Sequence, residues 1–190
     1  MARDLHQVAG LILSGQPLGE ANRLFLIFTR ELGLIKATAQ SVRESKSKLR
    51  AHLQVGRAVK LDLVRGREFW RVTGVVASEK FFPTGSPGRE ALSRVIKLII
   101  RMLPPEEPNA ELYDDLASAS DLLVVTENLV ATETLLVLRV LHSLGYFDSS
   151  PEFDNFTVDK SLTPELVQQF LPVRRLATKL INDALAESHL

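Results

Sequence analysis

Residues 41–60 of the chain, SVRESKSKLRAHLQVGRAVK, carry Arg43, Lys46, Lys48 and Arg50, then Arg57 and Lys60, with Glu44 as the acid among them. Guanidinium and ammonium groups gathered in this way fit the oxygens of a phosphate backbone, which they bind without regard to sequence. The same run also fits a solvated loop, and the segment alone leaves both readings open. Further cations lie close by in sequence. Arg65 and Arg67 flank a hairpin tip, Arg71 follows, and Arg23 and Arg30 bracket an apolar stretch. Trp70 offers a face on which a base could stack, or a body for a core; with Val72 and Val76 expected on its face, core packing is favoured.

Signs of catalysis are missing. No glycine-rich phosphate loop, dinucleotide fingerprint or nucleophile elbow occurs. His6, His52, His142 and His189 stand apart, without metal-ligand spacing. The run YDDLASASD places Asp114, Asp115 and Asp121 where the solvated face of a helix is expected. There are 0 cysteines, which excludes disulfides, thiol nucleophiles and cysteine zinc sites. The reading is a non-enzymatic chain with no cofactor and no metal.

Charge divides the chain. Residues 1–80 hold 14 Lys/Arg against 7 Asp/Glu, whereas residues 81–190 hold 9 against 16. The first half can attract a polyanion that the second would repel. No apolar run is long enough to span a bilayer, the N-terminal apolar stretch reads as a strand and not a signal peptide, and the lack of cysteine fits a cytoplasmic location.

The elements that must position the cations are legible from periodicity. QVAGLILSG, NRLFLIFTR, GLIKATAQSV, AVKLDLV and EFWRVTGVVAS read as five short strands, with Val59, Leu61 and Leu63 on one face of the fourth. RGR at 65–67 reads as a hairpin turn in which Gly66 could adopt positive φ. Five strands in about eighty residues suggest a small closed barrel, since closure removes edges. From residue 86 the period changes. Ser86 and Pro87 start a helix that buries Leu92, Val95, Ile96, Ile99 and Leu103; Asn109 caps a second with Leu112, Leu116 and Leu123 inward. TETLLVLRVLHSLG is an apolar helix closed by Gly145. SSPEFDNFTVDKS reads as a polar loop. Thr163 and Pro164 start a further helix stapled by Leu162 and Val167, and Pro172 kinks it or begins the last one. The expected fold is α+β, with an N-terminal five-stranded OB-type β-barrel (1–80), a linker (81–87) and an all-α helical domain (88–190).

GEANRLFLIFTRELGLIKATAQSVRESKSKLRAHLQ, the hairpin VKLDLVRGREFWRVTGVVASEKF and the later LLVLRVLHSLGYFD together resemble the bacterial recombination mediator RecO family. That family often carries paired cysteines after the Leu-Gly-Tyr segment as a zinc module, and here SSPEFDNF stands in that place. It also often has a basic residue and a glycine where this chain has Gln40 and Ser41. The resemblance implies a DNA-binding protein of recombinational repair that binds single- and double-stranded DNA and anneals strands. It implies RecR and the single-stranded-DNA-binding protein as partners, and help in loading RecA.

On this reading Arg23, Arg43, Lys46, Lys48, Arg50, Arg65, Arg67 and Arg71 form the DNA-binding surface. Arg139, Arg174, Arg175 and Lys179 are the cations of the helical half that could rim an apolar pocket for the acidic tail of the single-strand-binding protein; equally, they could serve solubility. An RNA-binding barrel or a protein-interaction scaffold without nucleic-acid binding remain the other classes, because backbone contacts alone do not identify the sugar.

Overall fold

Alternating apolar residues in the first eighty positions fold into five strands: β1 (Leu5–Leu18), β2 (Asn22–Thr29), β3 (Gly33–Ala39), β4 (Ala58–Arg65) and β5 (Trp70–Ala77). The computed structural model describes residues 4–42, 47, 49–77, 86–146, 148, 150–157 and 161–187. The strands form a closed barrel in the order β1-β2-β3-β5-β4. β1 is longer than the expected 7–15 because it serves two neighbours. Leu5–Leu11 pair with β4 and Gly10–Leu18 with β2, both antiparallel, across an irregularity between Ile12 and Ser14. A short parallel contact of β3 with β5, Ala37 opposite Trp70 and Thr38 opposite Arg71, completes the ring. Ile12, Phe25, Ile27, Ile35, Leu61 and Leu63 fill the interior.

Two details of the β4–β5 hairpin differ from expectation. Asp62 faces Gly74 and Leu63 faces Val72, so Thr73 is an extra residue in β5. A bulge of this kind shifts the alternation by one. Trp70 and Val72 therefore point inward at 7% and 4% exposure, whereas Val76 is 69% exposed and Val75 packs against the core instead. Gly66 does not take positive φ. Its need is space: a Cβ there would lie 2.3 Å from the Phe69 carbonyl oxygen, to which the Gly66 N–H donates at 3.1 Å.

The chain forms two compact units, Met1–Phe81 with Pro104–Tyr113, and Phe82–Leu103 with Asp114–Leu190. The stretch PPEEPN thus does more than end a helix. Pro105 bridges Leu34, and the Glu106 N–H donates to the Leu34 carbonyl at 2.9 Å. Gly33, at φ +69°, passes so near this segment that a Cβ would meet the Glu107 carbonyl oxygen at 2.1 Å. Phe28, fully buried on the outside of β2, packs on Tyr113 with 5.9 Å between ring centroids.

The second unit contains α1 (Pro87–Met102), most of α2 (Ala110–Val125), α3 (Leu129–Ser143), α4 (Asp154–Thr157), α5 (Pro164–Phe170) and α6 (Arg174–Glu187). Caps fall where the sequence puts them. The side chains of Ser86, Asn109 and Thr163 accept from the N–H of Arg89, Leu112 and Leu166 at 3.3, 3.0 and 3.3 Å. Gly145 (φ +74°) ends α3, with Tyr146 N–H reaching back to the Leu141 carbonyl at 2.9 Å. Pro172 sits in a 3₁₀ turn, Leu171–Val173, between α5 and α6. α3 packs against α1, α4, α5 and α6, and Leu135, Leu136, Leu138, Val140 and Leu141 are accordingly buried around its whole circumference. The expected polar loop contains α4, because Phe153 and Phe156, one helical turn apart, are both buried; Phe156 meets Phe170 edge-on at 5.3 Å.

Candidate nucleic-acid interface

The β4–β5 hairpin gathers three of the expected cations. β4 ends at Arg65, the loop Gly66–Phe69 carries Arg67, and β5 returns through Arg71, which the register sets between Val64 of β4 and Thr38 of β3. Together they line a cleft of about 340 Å³ whose other walls are Thr38, Glu68 and Phe69. Arg67 is exposed and Arg71 half-buried. A cleft with three arginines in its lining can attract a polyanion, since a guanidinium presents a fork of donors that matches phosphate oxygens.

Arg65 is held differently. Its guanidinium stacks over the Trp70 ring, 4.8 Å from the centroid, and donates to Glu106 Oε1 at 2.5 Å. The Trp70 indole N–H donates to the same oxygen at 3.2 Å. The hydrogen bond from Arg65 holds the Glu106 carboxyl below the usual carboxylate range, aided by the indole N–H and the charge of Arg65 and opposed by burial. Trp70 also meets His6 edge-on at 5.1 Å. Its ring is a part of the core, not an exposed platform for a base.

Arg23, the second residue of β2, lies opposite Ala39, which follows Thr38 along β3. It donates to the Gly15 carbonyl at 2.9 Å and lies over the Phe25 ring at 5.4 Å, so its place is fixed while its charge stays unneutralised by these two contacts. Arg50 is exposed in the turns between β3 and β4. Arg43, Lys46 and Lys48 lie outside the described residues. Ser41, where the resemblance leads one to expect glycine, takes φ +52° and donates its N–H to Asn22 Oδ1 at 3.0 Å. It adopts the left-handed backbone that glycine adopts freely.

In the helical unit the four named cations separate. Arg139 is 4% exposed, which corrects its expected place at a pocket rim. It donates through Nε to the Phe156 carbonyl at 2.7 Å and through a terminal nitrogen to Asp115. Asp115 is correspondingly drawn inward from the solvated face expected for it, while Asp114 and Asp121 are exposed. Arg174 is half-buried in the first turn of α6, and Arg175 and Lys179 are exposed four residues apart, on one face of that helix. Among the described residues no cluster of histidine and carboxylate groups could hold a metal ion, and no helix is long and apolar enough to cross a membrane.

Glu106, Thr38 and Phe69 were not visible as site residues in the sequence. Glu106 reaches Arg65 across 41 positions, and no local pattern announces that pairing.

A closed five-stranded barrel in this strand order, with a basic β4–β5 hairpin and a helical unit behind it in sequence, defines an OB-type barrel protein of the α+β class. Residues 1–81, which hold the five strands of the barrel, match the family described as "Recombination protein O N terminal". It is similar to the DNA repair protein RecO of Gloeothece citriformis, 33% identical over 111 residues, covering 57% of this chain and 39% of that protein. To the DNA repair protein RecO of Heliobacterium modesticaldum it is 33% identical over 143 residues, covering 75% and 52%. With that of Dehalococcoides mccartyi it shares 29% over 138 residues, covering 72% and 54%. These alignments take in about half or less of each relative's length.

Proposed function

We propose that this chain is a non-enzymatic DNA-binding protein of recombinational DNA repair, which holds the backbones of single- and double-stranded DNA on the barrel and promotes annealing of complementary strands. The observation that carries this reading is the cleft of the β4–β5 hairpin, with Arg65, Arg67 and Arg71 in its walls. The names of the relatives support the pathway. Physically, annealing requires two polyanions to approach, and cations on a rigid barrel lower their repulsion while releasing condensed counterions. Arg23 and Arg50, with Arg43, Lys46 and Lys48, extend the proposed surface. The helical domain is proposed for partner contacts with RecR and the single-stranded-DNA-binding protein, in service of RecA loading. Arg175 and Lys179, exposed on one face of α6, are the cations best placed to meet an acidic segment.

The test is fluorescence anisotropy with single-stranded DNA and matched RNA across a salt series, followed by an annealing assay. Each single-strand phosphate contact contributes about 0.7 to the slope of log affinity against log salt. Arg67→Glu/Arg71→Glu is therefore expected to flatten the slope by about 1.4 and to slow annealing. An unchanged slope would remove the cleft from the interface. A preference for RNA would replace the DNA reading with an RNA-binding one.

A further inference from the structure

The Arg65–Trp70 pair presents an anion site that is already filled. Oε1 of Glu106 receives both the Arg65 guanidinium, at 2.5 Å, and the Trp70 indole N–H, at 3.2 Å. The carboxylate comes from a segment 41 positions away, fixed to the barrel by the Pro105–Leu34 bridge and by the Glu106 N–H to the Leu34 carbonyl. Glu106 itself takes φ +57°, a backbone that side-chain-bearing residues adopt at a cost. Its side chain remains 47% exposed and that of Arg65 52%. Water and solutes therefore reach the pair, and an exposed pair of this kind is weak enough to exchange.

We propose that Glu106 is a built-in competitor of the nucleic-acid phosphate for Arg65, a carboxylate standing where a backbone phosphate would bind. The proposal rests on the reading of the hairpin cleft as a phosphate-binding surface. Arg65 lines that cleft together with Arg67 and Arg71, and a carboxylate and a phosphate oxygen offer the guanidinium the same acceptor. For a phosphate to gain Arg65, Glu106 must release it. Binding then forfeits one ion pair for each one formed there, so Arg65 adds little net affinity in the natural protein. The consequence is a surface whose hold on DNA is deliberately submaximal, which suits strands that must be passed on.

Glu106→Gln keeps an oxygen for the indole N–H and removes the charge. It is expected to bind single-stranded DNA about 2- to 5-fold more tightly, the range of an exposed ion pair, with a salt slope steeper by about 0.7. A general field effect is separated from competition by two further proteins. Glu68→Gln removes a carboxylate from the wall of the same cleft and should leave the slope unchanged. Arg65→Ala/Glu106→Gln should lose the gain, because the competitor has nothing left to compete for. An equal gain from Glu106→Gln with and without Arg65, or from Glu68→Gln, overturns the proposal. Failure of the underlying reading looks different: Arg67→Glu/Arg71→Glu would then leave the slope untouched. If that double variant weakens binding while Glu106→Gln changes nothing in a protein with unaltered thermal melting, the competition alone is refuted.

Discussion

Removing the carboxylate of Asp115 should strongly destabilise the helical unit. Arg139 is 4% exposed and its partners are Asp115 and the Phe156 carbonyl. Asp115→Ala leaves the guanidinium charge enclosed with only a neutral acceptor, a situation that costs about 3–5 kcal/mol. With a urea dependence of about 1.5 kcal/mol per molar for a domain of this size, the midpoint falls by about 2–3 M. The two units can be followed separately. Far-ultraviolet dichroism at the helix band reports mainly on the helices, whereas the single tryptophan, Trp70, lies in the barrel unit. The dichroism midpoint is expected to move without an equal shift in tryptophan fluorescence. Asp115→Leu/Arg139→Met should recover most of the loss, short by about 1 kcal/mol because the Phe156 carbonyl loses its donor. A fall of less than about 0.5 M for Asp115→Ala would refute the reasoning, since so small a cost means that Arg139 finds water or another partner.

Other outcomes follow from the same structure. Gly33→Ala combines φ +69° with a Cβ 2.1 Å from the Glu107 carbonyl, and should destabilise the barrel by at least ~2 kcal/mol in urea melts followed by Trp70. Gly19→Ala, at φ +65° with nothing near its Cβ, should cost only about 1 kcal/mol. Ser41→Gly relieves the φ of +52° and should raise the melting midpoint by up to about 1 kcal/mol equivalent. Trp70 is enclosed, so acrylamide should quench it weakly, and saturating DNA should leave that quenching nearly unchanged; strong protection by DNA would instead mean that bases reach the ring.

Much of this architecture could be read from local pattern. Strand periodicity announced the barrel, and Ser86, Asn109, Thr163 and Gly145 announced helix ends, because caps depend on residues only a few positions apart. What stayed hidden depends on distant partners. Nothing near Val76 signals the extra residue at Thr73 that turns it outward. PPEEPN has the composition of a helix breaker, and its pairing with Leu34 is a matter of tertiary packing. Phe153 and Phe156 were masked by polar neighbours. Arg139 lay in an apolar run as an apparent surface cation, and its acid sits 24 residues earlier on another helix. For the candidate site, the hairpin arginines were visible as charge, while the carboxylate that holds Arg65 was not.

The inclusion of Pro104–Tyr113 in the barrel unit bears on how the chain is made. Synthesis runs from the N-terminus, so all five strands and the whole of α1 leave the ribosome before Glu106 does. Until then the indole N–H of Trp70 and the carbonyl of Leu34 lack the acceptor and donor that Glu106 supplies to them. The nascent barrel therefore waits, with Arg65 unclaimed, for a segment from beyond the first helix. Translation delivers that helix before it delivers the last piece of the barrel.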